Sequence, residues 1–375
     1  MKSIVIIDPK GVISSGGLDV IKRHANYSQL LKSHSNGEVN LVVVSNSAPI
    51  NEISSSNLKM YSTNTSRVNF FKYIKRTKKI LHDNKIETFL LVAGDPWESA
   101  WCAALIRKEF LNRKTPIEVQ AHGDFAEKNW KYLSFINLIR YTLISIGLRI
   151  AYSIRVTSEQ QKNNFNEKFQ VPRNKMIVIP VFMDLKKLHR DTEQPRKMSI
   201  GLVGRLHFDR GLKDFVKLLK KLTKNNRGIT VFVAGDGPKL NWFKRKTKDL
   251  GKQNKVYFLG NLDVDELQRF WEKIGVLISV APLESFGRAM REAIVSGVPV
   301  WAIRSTGSLE LHKQLNGQGI YFIDQNKDYR ALHNELETIL KFHIPKQLIS
   351  ELINSDELNL IQLIENWLSS VRAVD

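Results

Sequence analysis

The sequence predicts an α/β fold of two domains, and three observations carry that expectation. Short apolar runs rich in β-branched residues alternate with helical patterns along the chain, as in parallel sheets covered on both faces. With 375 residues there is enough chain for two cores of ordinary size. A polar, proline-bearing segment, RDTEQPRK, marks a boundary near 190–197. The expected division is 1–190, 191–355 and a C-terminal helix over 356–375.

Taken in order, Val5 to Asp8 predicts a first buried strand running into a Gly16-Gly17 loop and a helix that carries Val20, Ile21, Tyr27, Leu30 and Leu31. Glycine there lets a loop pass close to a ligand and opens the helix N-terminus toward it. VNLVVVS is a second strand, and residues 46–66 read as a polar, mobile loop. Phe70 to Lys85 predicts an amphipathic helix whose basic face, Lys72, Lys75, Arg76, Lys78 and Lys79, suits either solvent or an anionic membrane. TFLLVAG and IEVQA are further strands, the latter ending in His122-Gly123-Asp124. In open α/β sheets ligands gather beyond the carboxyl ends of strands, which makes His122 and Asp124 candidates. Tyr132 to Tyr152 reads as a core or interface helix pair, and Ser158 as the cap of the next helix. KMIVIP is the last strand before the boundary.

Composition excludes several classes. A 42% hydrophobic and 25% charged chain is that of a globular protein. One cysteine, Cys102, leaves no intrachain disulfide framework or cysteine-based zinc site. The first apolar run is broken by Asp8, unlike a signal peptide, and no run reaches membrane-spanning length. No H-E-x-x-H spacing or D-x-D pair suggests a metal. The net charge is +20, with 29 basic against 15 acidic residues through Arg190 and 28 against 22 thereafter. A basic first half points to an anionic partner surface. The cations are spread over many helices rather than drawn into a stripe with stacking aromatics, so nucleic acid is not the expected partner.

The second half repeats one device: an apolar strand ends in glycine beside charged residues and gives way to a helix. It opens with SIGLVGR and Arg210-Gly211, then carries the G-D-G-P turn from Gly235, and then VYFLGNL. The most informative stretch is PLESFGRAMREAIVSGVP, Pro282 to Pro299. Glu284 and Glu292 bracket seven residues, and Phe286-Gly287 lies where the strand VLISVA hands over to a helix. Unpaired backbone N–H groups and the helix dipole suit such a turn to phosphate.

This pattern resembles the E-x7-E signature of the family 4 retaining glycosyltransferases, and Gly204-Arg205 resembles that family's G-R step. The resemblance implies the GT-B fold, two Rossmann-like domains facing a cleft, and sugar transfer from a nucleotide-diphosphate sugar with retention. It implies that Gly204, Arg205, Arg210, Gly235, Leu259, Glu284, Ser285, Phe286, Gly287 and Glu292 bind the donor. Of these, Arg205 and Arg210 would neutralise the diphosphate, with Lys213 a rival for the second role because the family usually has lysine near Arg210. Glu284 would hold the transferred sugar and Glu292 the ribose. Gly16, Gly17, His122 and Asp124 would lie on the acceptor side, with His122 also catalytic. No cofactor or metal is implied. A glycan or lipid-linked acceptor at the cytoplasmic face is expected, in polysaccharide or lipopolysaccharide synthesis. The rivals are a nucleotide-sugar epimerase of the same fold and a basic nucleic-acid-binding protein on a Rossmann-like scaffold.

Overall fold

The computed structural model describes residues 2–15, 18–48, 58–111, 114–123, 125–127, 130–189, 198–224 and 228–372. Gly16, Gly17, Asp124 and the segment 190–197 lie outside the described residues. The chain folds as two compact units, one of residues 1–182 with 357–375 and one of 183–356.

The first unit is built on a seven-stranded parallel sheet. Its strands are β1 (Lys2–Asp8), β2 (Val39–Ser45), β3 (Leu58–Ser62), β4 (Glu87–Ala93), β5 (Ile117–Ala121), β6 (Ser153–Val156) and β7 (Met176–Val178), in spatial order β3-β2-β1-β4-β5-β6-β7. Helices α1 (Leu18–His34), α2 (Phe70–Asp83), α3 (Glu98–Phe110), α4 (Phe135–Ile150) and α5 (Glu159–Phe169) connect them. The central strands are buried along almost their whole length because helices cover both faces, which is why β1 and β2 read as unbroken apolar runs.

The second unit repeats the plan with six strands: β8 (Ser199–Val203), β9 (Thr230–Ala234), β10 (Lys255–Gly260), β11 (Val276–Ser279), β12 (Val300–Ala302) and β13 (Ile320–Phe322). Their order is β10-β9-β8-β11-β12-β13. The helices are α6 (Leu212–Leu222), α7 (Leu240–Lys246), α8 (Val264–Lys273), α9 (Arg288–Val295), α10 (Thr306–Gln314), α11 (Tyr329–Lys341) and α12 (Lys346–Arg372). In α6, Leu212, Phe215, Val216, Leu218, Leu219 and Leu222 turn inward while its lysines face out. Helix α8 opens on a capping box, with the Asp263 and Glu266 side chains each accepting from the other residue's backbone N–H.

Several expectations need correction. The supposed loop over 46–66 contains β3, which pairs in parallel with β2 at the sheet edge; its LKMYS sequence is too short and mixed to signal a strand alone. Tyr132–Tyr152 holds one α-helix, not a pair, and its outer side is exposed. In α2, Phe71 points to solvent, while Arg76 donates to the Thr63 and Asn64 carbonyls and Lys78 pairs with Glu109. Two of its five basic-face cations are therefore engaged within the unit. Residues 183–189 belong with the second unit, because Leu185 and Leu188 enter its core beside Ala293, Ile294 and Val295. The final helix begins at Lys346, not near 356. Its residues up to Asp356 lie in the second unit and the rest in the first.

Candidate active site

The order of the second sheet creates the site. From β8 the chain builds outward through β9 and β10, then returns to lay β11 on the other side of β8. Loops leaving β8 and β11 diverge there, which opens a crevice beyond their carboxyl ends. A cavity of about 50 Å³ occupies that crevice, walled by Gly204, Arg205, Arg210, Glu284, Gly287 and Met290 among others.

Its chemistry follows from the two loops. Arg205 follows Gly204, the first residue beyond β8, is exposed, and pairs with Asp209 at 2.9 Å. Arg210 reaches across to Glu284, with Nη1 to Oε2 at 3.3 Å. The other carboxylate oxygen of Glu284 accepts from the Gly287 N–H at 3.0 Å. A carboxylate thus already rests where an arginine and a helix-start amide converge, the arrangement by which a protein holds an anion. Gly287 takes a left-handed conformation, φ +77°, to start α9, a geometry that a side chain resists.

The loop is held from behind by residues not singled out from the sequence. The Gly307 N–H donates to the Glu284 carbonyl at 2.7 Å, and a Cβ on Gly307 would come within 2.9 Å of the Gly287 nitrogen. Thr306-Gly307-Ser308 is the first turn of α10, capped by Ser305. Arg291 is the larger omission. Its guanidinium is buried, stacks 4.1 Å from the centre of the Phe286 ring, donates to the Phe286 carbonyl at 3.3 Å and to Gln314 Oε1 at 2.6 Å. Burial pushes its pKa down to about 10, against the attraction of Glu310 and Asp356. The signal available was a charged residue at 291, inside a helix face otherwise filled by Met290, Ala293 and Ile294.

Other predicted donor residues sit at varied distances from the cavity. Glu292 is half-buried on α9, with Arg288 at 3.9 Å. Ser285 and Phe286 are buried in the loop itself. Gly235 bridges to Gly260 beside Gly204. Leu259 lies half-exposed on the edge strand β10 and does not wall the cavity. Lys213, the rival to Arg210, places its ammonium 4.6 Å from the Phe208 ring centre instead of in the cavity wall. Among the described residues, no three His, Cys, Asp or Glu side chains cluster as a metal-ligand set.

In the first unit, His122 follows β5. Its Nε2 lies 3.0 Å from Gln120 Oε1. His122 is an exposed residue, yet desolvation, then Arg155, Arg23 and His24, hold the imidazole well below its ordinary range and therefore neutral.

Comparison with known proteins fits this architecture. The fold is GT-B, the two-unit α/β class of many glycosyltransferases. It overlays Anabaena HepE, solved with UDP and glucose, at a TM-score of 0.67, with 15% identity over 98% of this chain and 99% of the other. The lipopolysaccharide outer core galactosyltransferase WaaB gives 0.65 and 15%, over 100% and 99%. Residues 186–350 match the family model for glycosyl transferases group 1. An uncharacterized glycosyltransferase of Methanocaldococcus jannaschii is 28% identical over 129 residues, 34% of this chain and 33% of the relative. The chain thus spans about a third of the length of the curated relatives it matches first.

Proposed function

We propose that the protein transfers a glycosyl unit from a nucleoside-diphosphate sugar to a glycan or lipid-linked acceptor, with retention at the anomeric carbon. The observation that carries this reading is the convergence of Arg205, Arg210, Glu284 and the Gly287 amide at the switch point of the second sheet. In this mechanism the incoming diphosphate takes over the anion position held by the Glu284 carboxylate. Arg205 and Arg210 then offset the charge that develops on the departing diphosphate, a role for which cations fixed in advance are most effective. Glu284, freed from the turn, accepts from hydroxyls of the transferred sugar, and Glu292 from the ribose. The acceptor oxygen attacks from the face the diphosphate leaves. The bond from the anomeric carbon to phosphate oxygen breaks as the new glycosidic bond forms, and the leaving phosphate takes the acceptor's proton. No step requires a metal ion or cofactor.

The acceptor is assigned to the first unit, around His122, and a membrane-borne acceptor is the favoured kind. Between Glu127 and Glu159 the chain carries no acidic residue. Along the same stretch Tyr132, Phe135, Ile139, Ile146 and Tyr152 are exposed. Exposed apolar and tyrosine side chains in a basic setting are what an interfacial segment presents to anionic lipid. No helix among the described residues is long and apolar enough to cross a membrane, so attachment would be peripheral, at the cytoplasmic face. A solved neighbour that builds lipopolysaccharide outer core is in keeping with a role in cell-surface glycan synthesis.

Titration with UDP, GDP and ADP and their sugars, followed by thermal shift, tests the donor assignment. The matching nucleotide at a hundred times its Kd should stabilise the protein by about 2.7 kcal/mol, and Arg205→Ala should lose that gain. No stabilisation by any nucleotide would overturn the reading. Flotation with phosphatidylglycerol vesicles, compared with neutral vesicles and with Phe135→Asp, tests the surface: equal recovery in all three removes the membrane from the proposal.

A further inference from the structure

We propose that Asp209 and His207 are positioning residues for the donor site: His207 holds Asp209, and Asp209 holds the Arg205 guanidinium at the cavity wall before any ligand arrives. The meaning of this rests on the donor reading of the cavity, but the geometry does not.

The backbone of Arg205 is fixed from both sides. The Gly204 N–H donates to the Ala234 carbonyl at 3.0 Å and the Leu206 N–H to the Asp236 carbonyl at 2.9 Å. The G-D-G-P turn lies so close that a Cβ on Gly237 would stand 2.5 Å from the Leu206 carbonyl oxygen. The side chain is another matter. It is 62% exposed, and among the described residues its ion-pair partner is Asp209, through one contact from Nη2 to Oδ2 at 2.9 Å. An arginine this exposed keeps many rotamers open, and a ligand that had to freeze it would lose affinity.

The loop turns back to supply that partner. The His207 N–H donates to the Arg205 carbonyl at 3.0 Å and the Arg210 N–H to the His207 carbonyl at 3.2 Å, so Asp209 comes to face Arg205. Phe208 anchors the turn. The Lys213 and Lys239 ammonium groups lie 4.6 and 4.8 Å from its ring centre, and Trp242 meets it at a right angle, 4.9 Å between centres.

The two oxygens of Asp209 are divided between its neighbours. Oδ2 takes Arg205, while Oδ1 is buried and lies 2.7 Å from His207 Nδ1. Nδ1 also stands 3.3 Å from the Asp209 N–H, but it cannot accept there and donate to Oδ1 together. Two bare lone pairs at the shorter distance would repel, and a buried carboxylate oxygen left unmet costs more than one N–H of a short turn. The proton therefore sits on Nδ1, and His207 fixes the plane of the carboxylate that fixes the guanidinium. Asp209 uses one of several N–H donors on Arg205, so the rest stay available to phosphate oxygens without the ion pair breaking. Arg210 differs, because its partner Glu284 itself walls the cavity.

The first test needs no ligand. In the full chain labelled with 15N-arginine, relaxation of the Arg205 Nε–Hε group, assigned by its loss in Arg205→Ala, reads how firmly the side chain is held. Its order parameter should fall by roughly a third or more in Asp209→Ala and in His207→Leu. His207→Asn should keep it near the wild-type value, because the amide places an N–H where Nδ1 stood. A guanidinium as ordered in Asp209→Ala as in the wild type overturns the proposal. The second test is calorimetry with UDP, GDP and ADP. For the nucleotide that binds, Asp209→Ala should raise Kd about threefold to fivefold, the worth of a partly screened ion pair. With Arg205 already alanine, the same change should move Kd by less than about 1.5-fold. An equal loss in both backgrounds, or no loss in the first, means that Asp209 does not act through Arg205 and overturns the proposal. If no nucleotide binds the wild type, the donor reading falls, and the order parameters decide by themselves whether Arg205 is held. Should Asp209→Ala fail to fold, His207→Leu against His207→Asn decides in its place.

Discussion

The two units share a strand order around their switch points, yet the loops there do opposite things. In the first, the loop after β1 turns back on the strand's own last residue. Buried Asp8 accepts from the Val12 and Ile13 N–H groups at 2.8 and 3.0 Å and from the Ser45 hydroxyl at 2.7 Å. Nearby, Lys10 is drawn to Glu98 and Asp95, and Arg140 closes on Glu98 as well. In the second, the cations at the strand ends lie around an open cavity, and the carboxylate among them is half-exposed and held by one amide and one arginine. The topology supplies a crevice in both cases. The residues at its lip decide whether the backbone donors are spent on the protein or kept for a ligand.

Four changes would sharpen or break this contrast. The largest effect is expected from Arg205→Ala, which should lower kcat/KM by about 10²–10³-fold if this guanidinium answers the leaving diphosphate; steady-state kinetics on the matching donor would read it, and a loss under threefold would break the contrast on its second side. Asp8→Ala should cost about 2–3 kcal/mol of stability in urea unfolding, since three donors lose a charged acceptor, with nucleotide affinity unchanged. Weakened nucleotide binding in that variant would mean the first crevice is more than structural.

Arg291→Met keeps much of the volume under Phe286 but strands the Phe286 carbonyl and Gln314. About 1–3 kcal/mol of stability should go, with KM for the donor raised more than kcat is lowered. The smallest effect concerns pH. Desolvation, with Arg23 and Arg155 adding to it and the Val20 carbonyl opposing, pushes His24 down to about 4. An unfolded imidazole titrates near 6.5, so between these values the unfolded chain binds the proton and the folded one does not. Stability should be whole above about pH 6.5, decline as the pH falls toward 4, and decline less steeply in His24→Gln.

How much of this could be read without coordinates depended on distance along the chain. The Phe286-Gly287 turn was legible because a strand, a glycine at positive φ and a helix start are adjacent, and local geometry dictates each. The same holds for the Ser158 cap, whose side chain accepts from the Gln161 N–H. Less local features were misread. The strand β3 owes its existence to β2 beside it, and the outer face of α4 is as apolar as a core helix, so sequence pattern left core and interface undivided. Arg291 was not singled out because only the folded loop brings Phe286 and Gln314 around it.

The sequence by itself determined the alternation of strand and helix, the basic first half and the glycine-bearing turns at the ends of β8 and β11, because these depend on neighbours a few residues apart. Tertiary structure alone decided that α12 serves both units, that Arg210 meets Glu284, and that the Trp367 indole donates to Glu118 on β5. Such pairings join groups tens to hundreds of positions apart. Their partners are chosen by the packing of sheets and helices, which no local pattern encodes.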